Sequence, residues 1–176
     1  INALHYGKSI EMPFFTMQFF PDSIRSADIL FLNFSFAQLG RNAWALFSRV
    51  FLQLPDIFFN SIPAFGPLYH VSIPFVLIGI IVFTIRLFKE KQIEKQTQML
   101  ALWGFLITGI WVGLITYEVN INLVNIIFHP LLLLCAYGID LSAARWKKLL
   151  PVIAAAYGVS SVLFFTVYFT SYAEES

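Results

Sequence analysis

The sequence predicts an all-α membrane protein: about four transmembrane helices, with an outward amphipathic interfacial helix and an aromatic loop. Three observations lead there. Of 176 residues, 59% are hydrophobic and only 12% are charged, about half the charged share of an ordinary soluble domain. Too little polar surface remains to face water everywhere, so lipid must be part of the solvent. Four apolar segments, 68–88, 99–117, 123–141 and 149–172, run 19 to 24 residues, enough to cross roughly 30 Å of hydrocarbon at about 1.5 Å per residue. Basic residues then cluster between the segments. Arg86, Lys89, Lys91, Lys95, Arg145, Lys147 and Lys148 are seven of the eleven Lys and Arg.

Those two basic loops are expected to be cytoplasmic, because Lys and Arg near span ends set orientation. By alternation, the hairpin 118–122, residues 1–67 and the tail 173–176 face outward. Residues 1–67 form the outward loop region, and 68–172 the four-span bundle. Ile1 to Gly7 reads as a helix end stopped by glycine. With no initiating Met and no leader, the chain is expected to be the C-terminal part of a longer membrane protein.

From Lys8 to Ile29, Pro13, Pro21 and the pairs Phe14-Phe15 and Phe19-Phe20 give no sustained period. An ordered, membrane-hugging loop is expected, with Asp22 and Ser23 able to open a short helix at 24–32. Over 35–54, Phe36, Leu39, Ala43, Phe47, Val50, Phe51 and Leu54 fall on one helical face, and Gln38, Arg41, Asn42, Arg49 and Gln53 on the other. That pattern fits a helix lying in the membrane interface, or one packed on its own protein. Pro55 is expected to end it. The Pro- and Gly-rich stretch Asn60 to His70 delivers the chain into the first span, where Pro74 is tolerated in the opening turn.

Several functions lack support. A net charge of +1 gives no case for nucleic acid. Cys135 is the single cysteine, and no CxxC, HExxH, GxGxxG or P-loop occurs. No carboxylate pair is placed for acid–base work, so neither catalytic nor metal-binding residues are assigned. The polar interest lies in Tyr117 to Pro130, where Glu118, Asn120, Asn122, Asn125 and His129 interrupt two hydrocarbon segments. Such groups need partners or water. They either cap a tight hairpin or face a cavity that holds a polar ligand. Gly109 with Gly113, and Ala154 with Gly158, are small-residue pairs that suit helix packing within the chain.

Asn60-Ser-Ile-Pro-Ala-Phe-Gly66 leading into Pro74 and Gly79, paired with Asn120-Ile-Asn122-Leu-Val-Asn125-Ile-Ile-Phe-His-Pro130, resembles the C-terminal half of bacterial family 39 membrane glycosyltransferases, the protein O-mannosyltransferase and aminoarabinose transferase type with the GT-C fold. The resemblance covers most of the chain. Two positions depart from its pattern: Leu123 stands where an arginine is expected, and Phe59 where a tryptophan is. Leu123 cannot hold a lipid phosphate. The resemblance implies a polyprenyl-phosphate-linked sugar as donor, a bacterial cytoplasmic membrane location, and a catalytic carboxylate in the missing N-terminal portion. It implies no cofactor in this chain, with a divalent metal as an optional companion. Asn60, Tyr69, His70, Asn120, Asn122, Asn125 and His129 become the ligand-binding candidates. The alternative is a non-enzymatic four-helix accessory or scaffold subunit. A transporter fragment is weaker, since no span carries a mid-bilayer charge.

Overall fold

The computed structural model describes residues 10–12, 15–17, 35–54, 62, 65–116 and 119–172. Two short strands, β1 (Ile10–Met12) and β2 (Phe15–Met17), pair antiparallel with Met12 opposite Phe15. This small hairpin lies within the stretch expected to be an ordered, membrane-hugging loop. The strands are three residues each, too short for the alternation that betrays a strand. The suggested helix at 24–32 and Asn60 lie outside the described residues.

Five α-helices follow among the described residues: α1 (Phe36–Val50), α2 (Ile73–Lys89, preceded by a 3-10 turn His70–Ser72), α3 (Ile93–Ile115), α4 (Phe128–Arg145) and α5 (Leu149–Val167). Among the same residues four stretches, His70–Lys89, Ile93–Ile115, Asn125–Arg145 and Leu149–Thr170, are long and apolar enough to cross a membrane. The chain is therefore an all-α membrane protein apart from the small hairpin. The second span starts six residues before the predicted 99, and the third ends four residues past 141. Hydropathy fails at Glu94–Gln98 and Ser142–Arg145, but Glu, Lys, Gln, Ala and Arg are good helix formers, so the helices continue. Pro74 sits in the first turn of α2. Span hydroxyls donate to the carbonyl four residues earlier, as Thr84 does to Ile80 at 2.6 Å and Ser142 to Gly138 at 2.7 Å. Such local bonds satisfy polar groups that lipid cannot.

The core is built where α2 crosses α4. A Cβ placed on Gly79 would lie 2.0 Å from the Leu134 carbonyl oxygen, and one on Gly138 would lie 2.0 Å from that of Phe75. The two backbones touch, and Val76, Leu131 and Leu134 are buried around the contact. Close approach of this kind replaces the hydrophobic driving force that is missing between helices in lipid. Gly113 is packed against Val124 and Leu46, and Gly109 against Ile126 and Ile127. Ala154 and Gly158, the other pair read from the sequence, are exposed, and a Cβ on Gly158 would meet nothing within 4 Å.

Helix α5 buries only Ile153. A small polar knot joins it to the bundle. The hydroxyls of Tyr157 and Ser72 share a hydrogen bond of 2.7 Å, the Cys135 thiol lies 3.4 Å from the Tyr157 oxygen, and it also donates to the Ser72 carbonyl at 3.7 Å.

Gly138→Ala is expected to cost about 1–3 kcal/mol through overpacking, whereas Gly158→Ala should stay within about 0.5 kcal/mol of the parent. Thermal unfolding of both variants in detergent checks this. Equal melting temperatures would contradict the crossing.

Candidate functional site at the hairpin end

Helix α1 determines the shape of this end. Its Ser35 cap accepts from the Gln38 N–H at 3.5 Å. The polar face turns inward. Asn42 is only 2% exposed, and its amide donates to the Leu114 carbonyl at 2.9 Å and to the Thr116 carbonyl. These carbonyls lie at the C-terminus of α3, where the last turn leaves its acceptors without intrahelical partners. Gln38 in turn donates to the Asn42 side-chain oxygen at 2.9 Å, and Arg41 to Gln38 at 2.5 Å. The result is a continuous relay from an exposed cation to buried main chain.

Arg49 is half-buried, and its guanidinium donates to the Val119 carbonyl in the hairpin. Its charge is suited to the negative end of the α3 dipole. Gln53 is buried at a left-handed φ of 54° and ends the helix four residues before the predicted boundary, with the Leu54 N–H donating to Ser48. The Gln53 side chain donates to the Val50 carbonyl and accepts from the Leu68 N–H at 3.0 Å. This clasp ties the end of α1 to the entry of the first span. It also requires Gly66, where a Cβ would sit 2.1 Å from the Gln53 oxygen.

The outer stripe of α1 is aromatic. Phe36 is 79% exposed and Trp44 61%, with Trp44, Phe47 and Phe51 rings in a row 5.8 and 5.5 Å apart. A polar face on protein and an aromatic face outward suit a helix at a membrane interface.

The predicted ligand residues divide into two sets. Asn120 serves the turn, its side-chain oxygen accepting from the Leu123 N–H at 2.9 Å. Tyr69 is directed into an aromatic cluster, its ring 6.0 Å from Tyr157 and 6.4 Å from Phe164. By contrast, Asn122 in the turn, Asn125 in a short 3-10 helix (Asn125–Ile127) and His129 in the first turn of α4 are all exposed. His70 is exposed at the start of its 3-10 turn. Asn60 and Glu118 fall outside the described residues. Among the described residues no group of three His, Cys, Asp or Glu could hold a metal ion.

Sequence reasoning missed Asn42, Arg49 and Gln53 as working residues of this end. Their signal was present, since all three lie on the polar face of a strongly amphipathic helix. Nothing in the sequence said which face met the protein.

The fold defines a multi-pass helical membrane protein whose amphipathic helix α1 is bonded to the end of a span. Comparison with models of protein families, with curated proteins and with solved structures finds no match.

Asn42→Ala would take the side-chain donor from two part-buried carbonyls, at a cost of about 1–3 kcal/mol. Amide hydrogen exchange along α1 should accelerate, while exchange in α2 and α4 should hold. Unchanged protection of α1 would show that Asn42 does not dock the helix.

Proposed function

We propose that this chain is the C-terminal membrane portion of a polyprenyl-phosphate-sugar-dependent glycosyltransferase, and that its hairpin end walls the lipid-donor cavity on the outer face of a bacterial cytoplasmic membrane. The observation that carries the reading is Arg49. The resembled family has an arginine within the asparagine motif, where this chain has Leu123. Helix α1 brings a guanidinium to the same hairpin from another part of the sequence. A guanidinium fork suits phosphate oxygens. As the bond from the anomeric carbon to the phosphate oxygen breaks, charge grows on the departing lipid phosphate, and a fixed cation beside it favours that step. The acceptor hydroxyl would lose its proton to a carboxylate outside this chain. Asn122, Asn125 and His129, all exposed, would meet the sugar or its phosphate.

The second reading, an accessory or scaffold subunit, is favoured by α5. Its Ala154, Ala155 and Gly158 lie uncovered on a span that buries one residue.

Sugar transfer in membrane vesicles separates the two readings, with protein amounts matched between variants. Arg49→Gln and Asn122→Ala should each lower transfer at least about tenfold, a loss of about 1.4 kcal/mol in transition-state stabilisation. Arg49→Lys should recover part of it. Full transfer by both variants would overturn the proposal and leave the scaffold reading standing.

A further inference from the structure

At the opposite end of the bundle, a groove of about 550 Å³ opens among the basic end of α2, the first turns of α3 and the middle of α4. Its floor is apolar. Phe83 meets Tyr137 edge-to-face at 5.7 Å, and Met99 adds a thioether. Its rim is cationic, formed by Arg86, Lys89 and Lys95, all exposed. The Arg86 guanidinium lies 5.4 Å from the centre of the Tyr137 ring, drawn back over the floor.

The one carboxylate in the lining, Glu90, is engaged with main chain. It accepts from the Gln92 N–H at 2.9 Å and the Lys91 N–H at 3.0 Å. The Gln92 amide, then the Lys91 amide and the Lys95 charge, hold its carboxyl below the usual range. Three cations against one carboxylate leave the rim with a net charge of +2. A second feature would favour a bound acceptor. Tyr137 lines the groove, and its hydroxyl is buried without a hydrogen-bond partner. An unsatisfied buried hydroxyl costs free energy that a bound acceptor would recover.

We infer that this groove binds an anionic phospholipid, with Arg86, Lys89 and Lys95 on the phosphodiester and the Phe83–Met99–Tyr137 floor under the glycerol and first acyl methylenes. A groove that is apolar below and basic above, between spanning helices at the level where the spans end, has the chemistry of a lipid headgroup site. A zwitterionic choline would bring a further cation to a rim that already carries three. A free phosphate would leave the apolar floor unused. A glycerol or phosphate oxygen reaching the floor gives Tyr137 its missing acceptor.

The test measures binding of short-chain phosphatidylglycerol, phosphatidylcholine and sn-glycerol 3-phosphate to the full chain purified in neutral detergent. Phosphatidylglycerol should bind at least about tenfold tighter than phosphatidylcholine, as expected for several cations near one phosphate. Arg86→Gln with Lys95→Gln should abolish that preference, and Lys89→Gln alone, at an exposed position, should weaken it. Lys147→Gln with Lys148→Gln, in the other basic loop, should leave it intact. Tyr137→Phe should weaken binding severalfold without lowering the melting temperature of the lipid-free protein. Equal affinity for the two lipids would overturn the inference, as would equal loss in the Lys147/Lys148 variant, which would mean diffuse charge attraction. Glycerol phosphate binding as tightly as phosphatidylglycerol would make this a soluble-phosphate site and overturn the lipid assignment.

Discussion

A lipid bilayer offers no hydrogen bonds, so every span must finish its main-chain bonding before it leaves the hydrocarbon or find partners where it ends. In this protein the constraint bears on the C-terminus of α3, whose last carbonyls at Leu114 and Thr116 would otherwise be left over. The Asn42 amide takes both. Because Asn42 lies on α1, satisfying α3 fixes the position of α1, and with it Arg49 on the hairpin and Gln53 on the entry to the first span. Removal of one carboxamide would thus loosen the helix and its hold on the hairpin, while α2 and α4 keep their own crossing. The hydrophobic contribution of α1, chiefly Leu46 and Val50, supports a placement that the polar bonds specify.

The bundle behind this end is uneven. Helices α2 and α4 meet through Gly79 and Gly138 at backbone contact, while α5 is held by the Tyr157–Ser72–Cys135 knot and a few aromatic contacts. Tight glycine crossings create a rigid pair, and lightly held spans are the ones expected to open first. The hairpin end is therefore built on the rigid pair and α3. Its exposed polar residues, Asn122, Asn125 and His129, run from the turn that leads into α4 to the first turn of α4, so a ligand meeting them would touch the best-packed part of the molecule.

Much of this could be read from sequence because lipid imposes a simple code. Twenty apolar residues bounded by Lys and Arg say where a span lies, and the helices depart from that expectation only where polar but helix-favouring residues extend them. The amphipathic pattern over 35–54 likewise announced a helix. What it could not say was which face meets protein, since Phe36, Trp44 and Phe47 facing lipid satisfy the same periodicity as the same residues facing a core. Asn120 as a turn cap followed from local chemistry. The Gly79–Gly138 contact and the Ser72–Cys135–Tyr157 knot did not, because they join residues on different helices, 22 to 85 positions apart, and depend on helix packing that no local pattern encodes. Gly109 and Gly113 were legible as packing residues through their spacing. Ala154 and Gly158 show that the same spacing also occurs on an open face.

The proposed function places α1 at the membrane interface, with its polar side on the bundle and its aromatic side in lipid. Site-directed spin labelling tests that arrangement most directly, with single nitroxides at Trp44→Cys and Phe47→Cys in a Cys135→Ala background reconstituted in vesicles. The power-saturation depth should place both labels about 5–10 Å into the boundary between headgroups and acyl chains. They should be accessible to oxygen and shielded from a water-soluble nickel relaxant. Labels at both positions that are fully accessible to nickel would put the aromatic stripe in water, and the docked interfacial helix would have to be abandoned.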